Sequence, residues 1–246
     1  MNNLPKIAIV GYGAMGKIIE SLAIERGFEI TDIFDVDTGI NPSKHYDFDI
    51  AIEFTEPDSA IDNFKILSSM GKSIITGTTG WNNNLEEVRE FIEKSGVGFI
   101  YSSNFSIGMQ MFFRIIRSAA RLINNTPDYD VMLHEIHHSG KKDSPSGTAL
   151  ALASILTDEI NRKTALQQET MHGLISPDML HISSTRGGSV TGQHTIYVDS
   201  SADSIELSHK AKDRSGFALG ALTAAQWLAG RHGFYNFDTI LDEIWK

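Results

Sequence analysis

The chain has 246 residues, of which 41% are hydrophobic and 21% are charged, and these fractions are typical of a folded globular protein. A net charge of −10 and the lack of a concentrated basic stretch argue against a nucleic-acid partner, because a phosphate backbone would be repelled. The sequence contains no cysteine, which excludes disulfides, thiolate catalysis and cysteine-bound metals. No apolar run approaches the roughly 20 residues that span a bilayer, and no secretory pattern is seen, so a cytoplasmic protein without membrane contact is expected.

The first hundred residues alternate short apolar runs with amphipathic stretches. The runs KIAIV (6–10), EITDIFD (29–35), DIAIEFT (49–55), KSIIT (72–76) and VGFIY (97–101) have the composition of buried strands, and helix-like patterns separate them. Right-handed crossovers place such helices on both faces of a sheet. The alternation therefore predicts a parallel β-sheet covered by helices.

The pattern changes in the middle of the chain. A long apolar helix is predicted at 107–125, followed by a strand at 128–138, a helix at 147–163 and strand-rich residues at 181–211. A last helix is predicted at 215–230. The change of rhythm indicates a second domain.

We therefore predict an α/β fold, in which a Rossmann-type parallel-sheet domain carries an inserted α+β domain for substrate binding and oligomerisation. The dinucleotide-binding domain is predicted over residues 1–105 plus 216–246. The inserted domain is predicted over residues 106–215.

The segment GYGAMG follows the first predicted strand and opens the first predicted helix. It fits the GxGxxG fingerprint, whose glycines form a tight turn and let backbone amides approach a pyrophosphate at the helix N-terminus. The alternative is a glycine-rich turn without a ligand. We predict a dinucleotide site formed by Gly11, Tyr12, Gly13, Ala14, Met15 and Gly16.

Asp35 ends the second predicted strand, where an acidic side chain typically accepts hydrogen bonds from the adenosine ribose. A carboxylate there would repel the 2′-phosphate of NADPH, and no arginine follows it directly. Lys17 could offset this repulsion. The choice between NADH and NADPH therefore stays open.

Titratable side chains are concentrated in HEIHHSGKKDSPSGT, residues 134–148. His134, Glu135 and His138 match the HExxH pattern of zinc peptidases, which works only on a helix because residues four apart then lie about 5–6 Å from each other. Strand formers precede this segment and helix breakers follow it, and on a strand four residues cover roughly 13 Å. The sequence therefore favours a strand end without a bound metal.

In the favoured interpretation, His137, His138 and Lys141 surround a pocket for an anionic substrate. The turn SPSGT opens the next helix, and the free amides near Gly147 and Thr148 suit a carboxylate. His134 is interpreted as a packed strand residue. Lys142 and Asp143 are interpreted as solvated loop charges.

These residues also form a long pattern, E-x-H-H-x-x-K-x-D-x-P-S-G-T-A, over residues 135–149. The pattern resembles the signature of the dihydrodipicolinate reductase family. GTTG (77–80), SSNFSIG (102–108) and GQHT (192–195) resemble further blocks of that family in matching order. The resemblance therefore extends over nearly the whole chain.

The resemblance implies an NAD(P)H-dependent oxidoreductase and homotetramer on the diaminopimelate and lysine pathway. It would reduce 4-hydroxy-tetrahydrodipicolinate, or the dehydrated dihydrodipicolinate, to tetrahydrodipicolinate. By the same resemblance His137 and Lys141 are the catalytic acid/base pair, with the direct proton donor left open. The residues implied to bind substrate carboxylate are His138, Gly147 and Thr148, and those implied on the nicotinamide side of NADH or NADPH are Gly77, Thr78, Thr79, Ser103 and Asn104.

Two alternatives remain at this stage. Another NAD-dependent dehydrogenase could use the same fold, since fold does not determine substrate. A non-catalytic dinucleotide-sensing module could keep the pocket without the chemistry. Arg186 has two interpretations, a contact to substrate or to a neighbouring subunit and an exposed hairpin arginine, and it is left out of the predicted site.

Overall fold

The computed structural model describes residues 4–246, which divide into two compact units. The first unit contains the residues up to Ile107 together with Arg214–Lys246, and the second is Gly108–Asp213. Within residues 4–246, no helix is both long enough and apolar enough to cross a bilayer.

The described elements run in a regular order along the chain. The strands are β1 (Ile7–Val10), β2 (Ile30–Phe34), β3 (Ile50–Glu53), β4 (Ser73–Thr76), β5 (Gly98–Tyr101), β6 (Asp130–His137), β7 (Ala165–Gln167), β8 (Met179–Arg186), β9 (Gln193–Asp199), β10 (Ser204–Lys210) and β11 (Gly233–Asn236). The helices are α1 (Ala14–Glu25), α2 (Pro57–Ser69), α3 (Leu85–Ser95), α4 (Ile107–Asn124), α5 (Gly147–Glu159), α6 (Ser215–Leu228) and α7 (Phe237–Ile244).

The first unit is built on a six-stranded sheet with the order β11-β5-β4-β3-β1-β2, in which every neighbouring pair is parallel. Alternate residues of one strand enter two different apolar clusters. Ile7 and Ile9 pack with the residues of α1 and α6, whereas Ala8 and Val10 pack with those of α2 and α3. Helices thus cover both faces, which confirms the predicted Rossmann-type parallel sheet.

The last part of this unit differs from the sequence prediction in detail. The predicted helix at 215–230 is α6, and it is followed by β11 and α7, which the sequence analysis did not predict. β11 pairs in parallel with β5 and forms one edge of the sheet. Phe234 on β11 stacks on Phe99 of β5 with ring centroids 5.0 Å apart, so aromatic packing compensates for the short strand.

The second unit contains a five-stranded mixed sheet with the order β10-β9-β6-β8-β7. β6 runs antiparallel to β9 and parallel to β8. One sheet face packs against α4 and α5 in a single apolar cluster that includes Val131 and Leu133 of β6. Because side chains alternate along a strand, Glu135 and His137 lie on this same buried face, at its polar end.

α5 ends earlier than the predicted helix at 147–163. The backbone leaves the helix at Ile160, which has φ −110° and ψ 93°. Lys163 is buried, and its ammonium group donates to the carbonyls of Pro177 and Met179 at 2.9 and 2.8 Å. A buried cation needs such partners, and the chain at the start of β8 supplies them.

Candidate functional site

The GYGAMG segment forms the tight connection between β1 and α1. Gly11 has φ +92°, and a Cβ there would lie 2.1 Å from the carbonyl oxygen of Phe54. A Cβ on Gly16 would lie 2.3 Å from the carbonyl oxygen of Gly11. Packing of the chain against itself therefore requires both glycines.

Gly13 differs from these two glycines. It has an ordinary φ of −77° at the N-cap of α1, and a Cβ there would meet no atom of the described chain within 4 Å. Its missing side chain leaves open space at the positive end of a helix, which fits a close approach by a pyrophosphate. Tyr12 donates a hydrogen bond to Glu20, and Lys17 lies 5.8 Å from its ring centroid.

Asp35 directly follows β2 and is exposed. Its carboxylate accepts a hydrogen bond from the backbone amide of Val36 at 2.9 Å, and its own amide donates to the Thr38 hydroxyl at 3.0 Å. β2 neighbours β1 in the sheet. The carboxylate is therefore held at the carboxyl edge of the sheet, next to the strand that leads into the glycine turn.

Other predicted cofactor residues lie at the ends of β4 and β5. Met15, Gly77 and Ser103 line one cavity of about 220 Å³. Thr79 and Ser103 line a second one of about 140 Å³. The structure thus brings the fingerprint, the GTTG segment and the SSN segment to the same end of the sheet, where ligands of open parallel sheets bind.

Thr78 is buried, and its polar groups serve the protein itself. Its hydroxyl donates to Glu53 at 3.1 Å and accepts from the Thr55 amide at 2.8 Å. Its amide donates to the Thr76 hydroxyl at 3.2 Å, and its carbonyl accepts from the Trp81 indole at 2.8 Å. Thr78 therefore shapes the GTTG turn, and it lines the second cavity together with its neighbour Thr79.

Asn104 is also buried and forms part of a turn. Its amide donates to the Ser102 hydroxyl at 3.1 Å, and its side-chain oxygen accepts from the Ser106 amide at 2.9 Å. These contacts hold the segment after β5 in place.

Glu53, at the end of β3, was not singled out by the sequence analysis. It is fully buried and accepts hydrogen bonds from Thr55, Thr76 and Thr78. Burial raises the pKa of this carboxyl against the opposing effect of these hydrogen bonds. An acidic residue that closes an apolar strand was the signal available in the sequence.

In the second unit, the HExxH segment lies on β6 and just after it, which confirms that it is not helical. The His134 Nδ1 pairs with the Ser183 hydroxyl at 2.7 Å, whereas His137 lies on the buried face. His138 follows the strand, and its amide donates to the Val190 carbonyl at 2.8 Å. The pattern therefore does not form the helical metal site of zinc peptidases.

The buried face instead brings Glu135, His137 and His194 together. The Nδ1 atom of His137 lies 3.3 Å, and the Nε2 atom of His194 3.6 Å, from Oε2 of Glu135. Ligand atoms of these three residues lie within 4.8 Å of one another, a spacing that a metal ion could bridge. A guanidinium nitrogen of Arg186 already lies 2.7 Å from Oε1 of Glu135 and supplies the positive charge that this carboxylate needs.

Arg186 is therefore not an exposed hairpin arginine. It ends β8 opposite His137 in the register, and 18% of its side chain is exposed. Besides Glu135, it contacts the carbonyl of Asp143 at 2.9 Å. It connects the strand to the loop that carries Lys141.

The loop after β6 holds Lys141 close to the start of α5. The Lys141 ammonium donates to both carboxylate oxygens of Asp143, at 3.0 and 3.2 Å. Burial raises the pKa of Asp143, but Lys141 and backbone amides, including that of Gly147, outweigh it and leave this pKa below its usual value. Asp143 is 54% exposed, as expected of a solvated loop charge, and it is also the ion-pair partner of Lys141.

Ser146 forms the N-cap of α5, because its hydroxyl accepts from the Ala149 amide at 3.1 Å. Its own amide donates to Glu135 at 2.9 Å, so the helix start is tied to β6. Gly147 and Thr148 open the helix, and a Cβ at Gly147 would meet no atom of the described chain within 4 Å. This helix N-terminus has room for an anion.

Comparison with known proteins identifies the family. Residues 5–105 match the family model "Dihydrodipicolinate reductase, N-terminus", and residues 108–241 match "Dihydrodipicolinate reductase, C-terminus". The 4-hydroxy-tetrahydrodipicolinate reductase of Christiangramia forsetii is 35% identical over 98% of this chain and 99% of its own length. The enzyme of the same name from Archaeoglobus fulgidus is 32% identical over 96% of this chain and 100% of its own length.

A solved structure supports the fold. The dipicolinate-bound dihydrodipicolinate reductase from Paenisporosarcina sp. TG-14 superimposes with a TM-score of 0.76 and 20% identity, covering 97% of this chain and 100% of that chain. The two family models together cover both units, and the two relatives match nearly the whole chain. This chain belongs to the dihydrodipicolinate reductase family.

Proposed function

We propose that this protein catalyses the NAD(P)H-dependent reduction of 4-hydroxy-tetrahydrodipicolinate to tetrahydrodipicolinate, on the route to diaminopimelate and lysine. The relatives named above carry this activity in their names, and one related structure holds dipicolinate, a small dicarboxylate. The observation that carries the proposal is the pairing of Lys141 with the carboxylate of Asp143 beside the N-terminus of α5. That arrangement suits a dicarboxylate substrate.

In the proposed reaction, some residues of the second unit bind the substrate and another donates a proton. The amides of Gly147 and Thr148 and the side chain of His138 bind a substrate carboxylate, which takes the place of Asp143 beside Lys141. When bound, a reduced nicotinamide supplies the hydride. The 4-hydroxyl group leaves as water to give the conjugated dihydrodipicolinate, and the Lys141 ammonium supplies the proton that completes addition of the hydride across its double bond.

His137 is a poor proton donor at neutral pH. Burial lowers the pKa of His137 to about 4, because desolvation outweighs the attraction of Glu135. Its imidazole is therefore neutral at pH 7. This favours Lys141 as the direct donor and His137 as an orienting partner.

We also propose an oligomeric state and a cellular location for this protein. Met132 is 38% exposed on the sheet face of the second unit that is opposite the apolar cluster of α4 and α5. A partly exposed sheet face with an apolar side chain suits self-association, and we propose a homotetramer that works in the cytoplasm. Sedimentation equilibrium measures the subunit number directly.

The activity is tested by following NADH and NADPH oxidation while the upstream synthase generates the substrate from pyruvate and aspartate semialdehyde. Oxidation that requires the substrate supports the proposal. Folded protein that binds either cofactor but never oxidises it with this substrate would favour another dehydrogenase or a dinucleotide sensor.

Two glycine substitutions test the nucleotide site. Gly13 has a φ that alanine can adopt, and its Cβ would meet open space, so we expect Gly13→Ala to fold normally. Its methyl group should block the approach of the pyrophosphate. We therefore expect the Kd for NADH to rise by roughly tenfold to a hundredfold. Gly11→Ala should instead lower the free energy of unfolding by more than about 1 kcal/mol, because its φ is positive and the Cβ meets Phe54. Fluorescence titration and urea unfolding measure the two effects. Unchanged NADH affinity in folded Gly13→Ala contradicts the site.

Asp35 is expected to set the cofactor preference. Asp35→Ala removes the hydrogen bonds to the ribose and the repulsion of a 2′-phosphate, so the ratio of kcat/KM for NADH to that for NADPH should fall by about tenfold or more. Asp37→Ala is the matched control, since Asp37 is an exposed carboxylate two residues away. Equal ratios in both variants would remove Asp35 from the ribose site.

A further inference from the structure

The buried face of β6 ends in two ionisable side chains. Val131 and Leu133, which precede them on this face, lie in the apolar core of the second unit. Glu135 has no solvent exposure and therefore cannot be reached by a substrate from solution. A carboxylate at this depth is costly unless it is fully compensated, so its presence needs a reason.

One carboxylate oxygen of Glu135 is saturated by donors. Oε1 accepts from the Ser146 amide at 2.9 Å, from the Ser184 hydroxyl at 2.8 Å and from the Arg186 guanidinium at 2.7 Å. These donors come from the start of α5 and from β8. They fix the plane of the carboxylate relative to β6.

The other oxygen faces the histidines. Among residues 4–246, Oε2 has no hydrogen-bond partner, and neither has Nδ1 of His137, although the two atoms lie 3.3 Å apart. Nε2 of His194 lies 3.6 Å from Oε2 and 3.2 Å from the Ser146 hydroxyl. The His137 and His194 rings meet edge to face with centroids 5.1 Å apart. A small ring rotation completes the contact between Nδ1 and Oε2.

The charge states of the Glu135 carboxylate and the His137 imidazole favour a hydrogen bond between Oε2 and Nδ1. Burial raises the pKa of Glu135, but the nearby His194 ring and the hydrogen bonds from Ser146 and Arg186 outweigh it and hold this pKa below its usual value. The carboxylate is thus an anionic acceptor beside a neutral imidazole. An acceptor opposite Nδ1 requires the proton of that imidazole to sit on Nδ1, which leaves the lone pair on Nε2.

The Nε2 side of the ring is kept open. A Cβ on Gly192 would lie 3.0 Å from Nε2 of His137, so a side chain at this position would press against the ring edge. Glycine leaves that edge accessible for a hydrogen bond.

We propose that Glu135 is a positioning residue that holds His137 in the Nδ1–H tautomer and presents Nε2 as a hydrogen-bond acceptor. This inference deepens the proposed function and rests on it for the role of His137. In this tautomer His137 orients a donor such as the Lys141 ammonium and does not itself deliver the proton. Arg186 and His194 act on Glu135 and not on the substrate.

The wild-type protein provides the first test. Nitrogen-15 NMR of the histidine rings at pH 7, assigned by comparison with His137→Asn, should show a protonated Nδ1 and an unprotonated Nε2 for His137. The Nε2–H tautomer or a doubly protonated ring at this pH overturns the proposal. This measurement needs neither substrate nor turnover.

Glu135→Gln provides the second test. Its oxygen can keep the donors from Ser146 and Arg186, so its NH₂ group faces Nδ1 of His137 and enforces the opposite tautomer. We expect kcat to fall by about 100-fold or more while the Kd for NADH is unchanged, and Glu135→Asp to regain part of the rate with the wild-type tautomer. A folded Glu135→Gln protein with wild-type kcat refutes the role.

His134→Gln is the matched control, because His134 lies on the same strand with its side chain on the opposite face, paired with Ser183. It should keep the wild-type rate and the wild-type tautomer of His137. If Glu135→Gln does not fold, the wild-type tautomer still decides the question. Wild-type protein that shows the expected tautomer but no substrate-dependent oxidation would refute the proposed function and leave the positioning of His137 standing.

Discussion

Replacing Lys141 with alanine is expected to lower kcat by about 10²- to 10⁴-fold, the usual contribution of a positioned general acid. The ammonium group is held beside Asp143 at the start of α5, and the neutral His137 cannot replace it as a donor at pH 7. The Kd for NADH should stay unchanged, because the predicted dinucleotide residues belong to the other unit. Steady-state kinetics and cofactor titration measure the two quantities.

Lys142→Ala is the control for this experiment. Lys142 is the next residue in the same loop and is exposed, so its removal changes the net charge equally. We expect a kcat close to that of the wild type. Equal losses in both variants would indicate a general charge effect, and a wild-type kcat in Lys141→Ala would remove this residue from the chemistry.

Replacing Arg186 with methionine is expected to lower the free energy of unfolding by about 3 kcal/mol, because it leaves the carboxylate of Glu135 buried without its cation. Urea unfolding at pH 7 measures the change. The effect should shrink as the pH falls. The depressed pKa of Glu135 stabilises the wild type fully above the ordinary value of 4.5, and this stabilisation is lost progressively as the pH falls from there through the lower pKa of the folded state.

Two further variants distinguish the stability cost of an unpaired buried carboxylate from the general cost of removing an arginine. Arg89→Met removes an arginine whose ion pairs to Glu86 and Glu93 are exposed, and it should cost less than about 1 kcal/mol. The double variant Glu135→Met with Arg186→Met buries no charge and should recover part of the stability. Similar losses for Arg89→Met and Arg186→Met would contradict the assigned role of Glu135 and its partner.

The parallel sheet of the first unit followed from local patterns in the sequence. Strands such as β1 and β3 are continuously apolar because both faces are buried, and the intervening helices are amphipathic, so sequence and structure carry the same signal. β11 gave no such signal. It is a four-residue edge strand, and its place depends on pairing with β5 at a distance of more than one hundred residues.

The cluster around Glu135 shows the same limit of prediction from local sequence patterns. The alternation along β6 places Glu135 and His137 on one face, which the sequence alone could have indicated. His194 joins them only because β9 pairs with β6 in a register that sets Glu135 opposite His194. Arg186 joins through the parallel pairing of β8. Arg186 and His194 are about fifty and sixty residues away from Glu135 along the chain, where no local pattern can place them.

The sequence by itself determined the fold class, the glycine turn between the first strand and helix, and the segment that carries Lys141, because short-range periodicity and backbone conformation encode these features. The tertiary structure alone decided which groups compensate Glu135 and that Thr78 contacts Glu53 in shaping its turn. Burial and strand register set the charge and orientation of a side chain, and both arise only when distant segments pack together.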